Sequence, residues 1–210
     1  VNRKIINGGQ IITALAYGKE YSYKIIYDGL HQAINSLAVL GVLLITKCDI
    51  KKGINNLYHS IVPIGRGNRH NIIINGQKSF LIDDSYNANP SSVIASLKSL
   101  KEIAGKNRKV LILGEMGELG KFSVPLHKNI YNYLIRMDIN LVIFVGKNTK
   151  DLYNLSKSKI ECIWAESSEK IVQKEIIHLI KPMDTILVKG SRYMKMELII
   201  NFLIDQFKIK

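Results

Sequence analysis

From about residue 71 to the end, short apolar runs alternate with stretches whose apolar residues recur at helical spacing, and no other feature restricts the fold as strongly. The pattern predicts helices over about 91–103, 124–137, 149–155, 169–180 and 194–207, with strands over 109–113, 141–145, 160–164 and 185–188 between and before them. Strands of five residues that are apolar throughout have no polar face to give to water. Separated by amphipathic helices, they predict an α/β fold, a mostly parallel sheet covered on both faces. A hairpin precedes the alternation: 71–74, the turn Asn75 and Gly76, then 78–82. Asn-Gly is the strongest two-residue hairpin signal because both central positions must take positive φ.

The first 63 residues read differently. Strands over 11–15 and 21–27 are followed by a helix that begins after Gly29 and runs into Leu44, and by a second over 51–59 capped by Asp49. Two strands and two helices make a thin core for an independent domain. With Val1 at its start, this segment reads as mid-domain material. Gly65, Arg66 and Gly67 read as a swivelling linker, since glycine frees the backbone on both sides of the arginine. The expected domains are therefore 1–63 and 64–210.

Composition excludes more than it suggests. The net charge of +13 favours an anionic partner, but the lysines stand singly between apolar positions. No aromatic-basic signature of a nucleic-acid surface occurs, so no nucleic-acid partner is expected. No apolar run approaches the roughly 18 residues of a membrane span, so no membrane insertion is expected. Cys48 and Cys162 lie in or beside apolar runs and read as two buried free thiols, which fits a cytoplasmic protein.

The densest chemistry follows the strand that ends near Ile82: Asp83, Asp84, Ser85, Tyr86, Asn87, Ala88, Asn89 and Pro90, leading into a helix near Ser91. On composition this is either a ligand loop at the carboxyl end of a strand or an Asx-type turn with an N-cap. Gly114 to Gly120, Gly146 with Lys147, and Lys189 to Arg192 follow the later strands and are expected on the same sheet edge. No G-x-x-x-x-G-K-[ST] phosphate loop is present. Gly114, Gly117 and Gly120 are spaced G-x-x-G-x-x-G, not G-x-G-x-x-G, and Glu115 and Glu118 lie between them, so the run is no dinucleotide fingerprint. His31, His59, His70, His127 and His178 lack metal-ligand spacing, and no metal site is expected in this chain.

Five segments in order resemble the Mur ligases: Gly29 with His31, Asn35 and Ala38; Gly65 with Arg66 and Gly67; Asp84 to Pro90; Gly114 to Gly120 with His127; and Lys189 to Arg192 followed by Met194 to Glu197. They cover about 29–200 and are most similar to the members that join D-alanyl-D-alanine to UDP-N-acetylmuramoyl-tripeptide. The resemblance implies a Rossmann-like C-terminal domain preceded by the last part of a central ATPase domain. It implies ATP-dependent amide formation through an acyl phosphate, with the phosphate loop and the Mg2+ ligands in a segment upstream of this sequence. That leaves no catalytic residue here and an isolated chain that is inactive, either a fragment or one half of a split enzyme that docks with a separate N-terminal half. A non-catalytic remnant or a nucleotide- or peptide-binding module is the alternative.

Carried over position by position, Asn35 meets the adenine, Arg66 reaches the nucleotide and Asp84 accepts from ribose hydroxyls. Asn87 and Asn89 line the peptide side or brace their loop, and Ser191 and Arg192 face the same cleft, Ser191 serving equally well as a helix cap. Glu118 and His127 match the pattern without an assigned role.

Overall fold

A computed structural model describes residues 1–6, 8–173 and 176–207, and the chain divides into two compact units, Val1–Pro63 and Ile64–Lys210. The first begins with three strands, Asn2–Ile6 (β1), Gly9–Ala16 (β2) and Lys19–Ile25 (β3), which form an antiparallel sheet in the order β1-β2-β3. The helices Leu30–Ile45 (α1) and Ile50–Tyr58 (α2) follow. Asp49 caps α2 as its sequence position demands, its carboxylate accepting the Lys52 N–H at 3.0 Å. Ile12, Ala14, Tyr23 and Ile25 pack against Ala33 and Leu40 of α1 and Ile54 of α2. The strand β1 has no counterpart in the sequence reading. It is an edge strand with only Arg3 and Ile6 partly buried, so its sequence lacks the alternation that marks a half-buried strand.

The second unit holds the strands Asn68–Ile74 (β4), Gln77–Asp84 (β5), Lys109–Leu113 (β6), Leu141–Val145 (β7), Glu161–Ala165 (β8) and Thr185–Lys189 (β9) in the order β4-β5-β9-β6-β7-β8. Only the β4–β5 pair is antiparallel. Its turn carries Asn75 at φ 47° and Gly76 at φ 78°, the type I′ signs that match strand twist. The helices are Pro90–Ala104 (α3), Ser123–Arg136 (α4), Lys150–Ser156 (α5), Ser168–Gln173 (α6) and Glu197–Gln206 (α7). Every residue of β6, β7 and β9 is buried. The pleat sends Val110 and Ile112 to the side of α6 and α7, where Ile171, Ile199 and Leu203 wait. Leu111 and Leu113 turn to the side of α3 and α4, with Leu97, Leu100, Ile130 and Leu134.

Several expectations need correction. The predicted 169–180 helix is α6 followed by a 3-10 turn, Ile176–Leu179, and residues 174 and 175 of that prediction lie outside the described residues. The final helix starts at Glu197 because Lys195, at φ 50°, takes a left-handed conformation that interrupts the run from Arg192. Gly65 to Gly67 does not swing free. Gly65 O accepts from Tyr86 N at 3.0 Å and Gly67 N donates to Asp83 O at 2.8 Å, which fastens the run to the end of β5. Cys48 is exposed and Cys162 half-buried, so neither is a buried thiol. Among the described residues, no helix is long and apolar enough to cross a membrane.

Candidate functional site

At the carboxyl edge of the second unit's sheet, β5, β9 and β6 lie side by side, and the loops leaving them are tied to one another. The two aspartates ending β5 do different work because successive residues face opposite sides of a strand. Asp83 is buried and turned into its own loop, accepting the Ser85 hydroxyl at 2.5 Å and the Ser85 N–H at 3.1 Å. Asp84 lies opposite Lys189 in the parallel register. Its Oδ2 accepts from Lys189 Nζ at 2.8 Å and from Ser96 Oγ of α3 at 2.6 Å. Lys189 is nearly enclosed, its side chain 3% exposed against 22% for Asp84. Its ammonium also donates to Asn87 O at 2.9 Å. A buried ammonium is tolerable only when its charge and its donors are matched, and here the β5–α3 loop supplies both.

Ser191 joins three loops with one hydroxyl, accepting from Gly117 N at 2.6 Å and donating to Ala88 O at 3.2 Å. It makes no side-chain cap hydrogen bond to the turn it precedes, so its capping alternative is not realised. The backbones of the β6 and β9 loops are joined as well, Gly114 N to Lys189 O at 2.7 Å and Ser191 N to Glu115 O at 2.9 Å. A Cβ on Gly114 would lie 2.8 Å from Met196 Sδ and 3.2 Å from Gly190 Cα. The glycine run that is spaced wrongly for a dinucleotide thus permits loop-on-loop packing.

Two further residues hold the β6 loop, and the sequence reading gave neither a role. His127 of α4 is fully buried, accepts the Met116 N–H through Nε2 at 3.0 Å, and has Nδ1 2.7 Å from Ser123 O. A carbonyl only accepts, so the proton sits on Nδ1 and the ring is neutral. Burial holds its pKa below the usual 6.5, against smaller upward pulls from Ser123 and Glu115. Glu115, also buried, accepts from Asn148 N at 3.0 Å, Asn148 Nδ2 at 2.7 Å and the Tyr193 hydroxyl at 2.7 Å. The Tyr193 ring is mostly exposed while its hydroxyl turns inward; burial first, and then the Glu115 carboxylate, push that phenol above its ordinary range. Glu118 is exposed at φ 60°.

Around this scaffold stand the outward-facing groups. Arg66 lies over the Tyr86 ring at 4.3 Å and Arg192 approaches the same ring at 6.0 Å, so both guanidinium groups are within reach of one aromatic ring. Arg192 also pairs with Glu197 at 3.3 Å. Asn87 is exposed, its side chain accepting from Ala88 N at 2.8 Å. Asn89 is the N-cap of α3: Oδ1 accepts from Ser92 N at 2.8 Å while Ser92 Oγ accepts from Asn89 N at 3.0 Å, a reciprocal capping box. Asp84, Asn87, Asn89, Ser191 and Arg192 therefore share one sheet edge with Arg66. Asn35 belongs to the first unit, exposed on α1, with its amide donating to Gln32 at 3.4 Å. The most consequential residue outside the sequence-based set is Lys189. Its signal was an isolated lysine ending an otherwise apolar strand, a place where a charge needs a partner. Among the described residues, no group of three or more His, Cys, Asp or Glu could hold a metal ion.

Comparison with known proteins agrees with this architecture. UDP-N-acetylmuramoyl-tripeptide–D-alanyl-D-alanine ligase of Rickettsia prowazekii (strain Madrid E) is 36% identical over 172 residues, 82% of this chain and 37% of that protein. The like-named protein of Escherichia coli (strain K12) is 32% identical over 178 residues, 83% of this chain and 37% of that protein. The chain thus spans a little over a third of the length of the curated relatives it matches. The crystal structure of MurF from Acinetobacter baumannii superposes with a TM-score of 0.82 at 20% identity, covering 97% of this chain and 44% of that one. The MurF ligase of Thermotoga maritima in complex with ADP gives 0.77 at 22% identity, covering 98% and 45%. At those identities the structural likeness concerns the fold. The family model for the Mur ligase, glutamate ligase domain, matches residues 68–192, from the start of β4 through the Lys189 to Arg192 loop, and the chain belongs to the Mur ligase family.

Proposed function

We propose that this chain forms part of an ATP-dependent ligase that adds D-alanyl-D-alanine to UDP-N-acetylmuramoyl-tripeptide through an acyl phosphate, in cytoplasmic synthesis of peptidoglycan precursors. The observation that carries the reading is the convergence of Asp84, Asn87, Ser191, Arg192 and Arg66 on one sheet edge whose loops are fixed by Lys189 and Ser191. Curated relatives at 32–36% identity bear the name of that activity. In this reading Val1–Pro63 is the last part of a central ATP-binding domain and Ile64–Lys210 is the C-terminal domain.

In this reading each unit supplies its own candidate group for a nucleotide, Asn35 in the first and Asp84 with Arg66 in the second. Asn35 offers an exposed amide, donor and acceptor together, to the adenine. Both donors to Asp84 use Oδ2, so Oδ1 is the oxygen for ribose hydroxyls. Arg66 supplies a guanidinium for phosphate oxygens. Asn87, Asn89 and Arg192 border the peptide side, with Asn89 bracing its loop as the α3 cap and Ser191 holding the walls together. The phosphate loop is not in this sequence, and the Mg2+ ligands belong in this reading to the part of the relatives outside the match. The chain's own contribution is to orient two substrates and exclude water from the edge.

The test is D-alanyl-D-alanine-dependent phosphate release. We expect none from the chain alone, and release once it is mixed with the part of the Rickettsia relative outside the match. Asp84→Asn, which keeps an acceptor for Lys189 and Ser96, raises the ATP requirement of the mixture. A folded mixture without dipeptide-dependent release sinks the proposal and leaves a binding module.

A further inference from the structure

Tyr86 is the aromatic residue of the β5–α3 loop, and its surroundings fix its main chain while leaving its ring to act. Both sequence neighbours are anchored: the Ser85 hydroxyl donates to Asp83 at 2.5 Å, and Asn87 O accepts from Lys189 Nζ at 2.9 Å. The Tyr86 N–H itself donates to Gly65 O at 3.0 Å. A Cβ on Gly65, which stands at φ 76°, would lie 2.9 Å from Tyr86 N and 3.0 Å from Tyr86 Cβ. Only a glycine there lets the neighbouring arginine come this close. The Tyr86 side chain is 43% exposed and belongs to neither apolar cluster of the second unit. What its ring meets is charge. Arg66 Cζ is 4.3 Å from the ring centre and Arg192 Cζ is 6.0 Å from it. One exposed contact of this kind is too weak to hold a fold together, yet strong enough to choose among the conformations of a long side chain.

We propose that Tyr86 is a positioning residue, one that holds Arg66 and Arg192 together as a single anion-receiving pair. The inference rests on the reading of this edge as a ligase cleft, in which Arg66 faces phosphate oxygens and Arg192 takes the terminal carboxylate of D-alanyl-D-alanine. The two arginines come from distant parts of the chain, one before β4 and one after β9. Two like charges on separate loops repel, and an aromatic ring that attracts both offsets the repulsion. A ring contact uses none of the N–H donors of a guanidinium, so those of Arg66 stay free for oxygens that lie in its plane. Arg192 spends NH1 on Glu197 at 3.3 Å and keeps its remaining donors. With one carboxylate between two guanidinium groups, a positive charge is left over at the edge for a bound anion to match. Amide formation requires the acyl phosphate and the attacking amine to meet in one geometry. A shared ring sets the spacing of the two arginines, and through them the spacing of the two substrates. Tyr86 touches neither substrate in this account and acts only through the guanidinium groups.

The experiment compares Tyr86→Leu and Tyr86→Phe in the full chain, mixed with the part of the Rickettsia relative outside the match, by D-alanyl-D-alanine-dependent phosphate release. Tyr86→Leu should raise the KM for ATP and the KM for D-alanyl-D-alanine together, each about two- to fivefold, with kcat nearly unchanged; that factor corresponds to the roughly 0.5–1 kcal/mol of an exposed cation–ring contact. Tyr86→Phe keeps the ring and should restore both values. A rise in one KM alone, a loss of kcat with both KM values unchanged, or a Tyr86→Phe variant as impaired as Tyr86→Leu overturns the proposal. The ring is partly exposed and the bond to Gly65 is main-chain, so both variants are expected to keep the wild-type circular dichroism. Should Tyr86→Leu fail to fold, or the mixture release no phosphate, a titration of the wild-type chain with inorganic pyrophosphate decides. It is read from the NMR signals of the Arg66 and Arg192 Nε–Hε groups and of the Tyr86 ring. Signals that all move with one midpoint support the proposal; arginine signals that move with different midpoints, or not at all, overturn it. A mixture without phosphate release whose chain still shows the joint movement removes the functional reading and leaves the pairing of the two arginines standing.

Discussion

The two units use the same kinds of residue to different degrees of completion. In Ile64–Lys210 the strands β6, β7 and β9 are buried along their whole length, with helices on both sides, and each face of the sheet has its own closed cluster. In Val1–Pro63 a three-stranded antiparallel sheet packs on two helices, and the longer helix exposes Leu30, Ile34, Val42 and Ile45. Apolar content alone therefore does not make a core. What matters is whether each apolar face meets a second layer inside the same unit.

The comparison breaks first, and most visibly, at Phe144 of β7, which is fully buried. Phe144→Ala is expected to cost about 3–5 kcal/mol in urea unfolding followed by the Trp164 signal, through lost transfer energy and the cavity left behind. A cost below 1 kcal/mol would show that the second unit's core is not closed. Lys189→Met comes next. It leaves the Asp84 carboxylate without its ammonium, and about 3 kcal/mol should be lost by the same measurement.

His127→Ala removes the acceptor of the buried Met116 N–H and should cost about 1–3 kcal/mol. The histidine also makes stability depend on pH in a definite direction. Its folded pKa lies below the 6.5 of the unfolded chain, so beneath pH 6.5 the unfolded state takes up a proton that the folded state refuses. Stability therefore falls as pH drops from 6.5 towards the folded pKa, and above 6.5 the residue contributes no slope. Urea titrations at pH 7.5 and 5.5 should show a smaller difference for His127→Ala than for the wild type. The smallest effect belongs to the other unit: Ile34→Ala is expected to change stability by less than about 0.5 kcal/mol, because the side chain is already in water. A loss near that of Phe144→Ala would mean that α1 is covered within the isolated chain.

Much of the second unit was legible because its signals are local. Five-residue apolar strands and Asn75 with Gly76 each carry their structural meaning within a few positions, as Asp49 before its helix does in the first unit. The candidate loops were legible for the same reason: polar and glycine residues after parallel strands must collect on one edge. Errors fell where a local signal was weak or was overruled. Edge strand β1 buries too little to show a period, Cys48 sits beside an apolar helix end that remains exposed, and Lys195 breaks a helix that its neighbours favour. Arg66 stands between glycines that suggested free rotation, yet main-chain bonds to Tyr86 and Asp83 hold them.

Sequence by itself determined the α/β class, the hairpin, the edge that carries the polar loops and the family resemblance, because side-chain periodicity and short motifs are properties of neighbouring residues. Only tertiary structure decided that β9, last in the chain, inserts between β5 and β6. That insertion sets Lys189 opposite Asp84, brings Ser191 to Ala88 and Gly117, and leaves Arg66 and Arg192 over one tyrosine. Residues about a hundred positions apart become hydrogen-bonded neighbours there, and no local pattern encodes such a pairing. It follows from closing one apolar sheet on both faces with the least polar surface left unmatched.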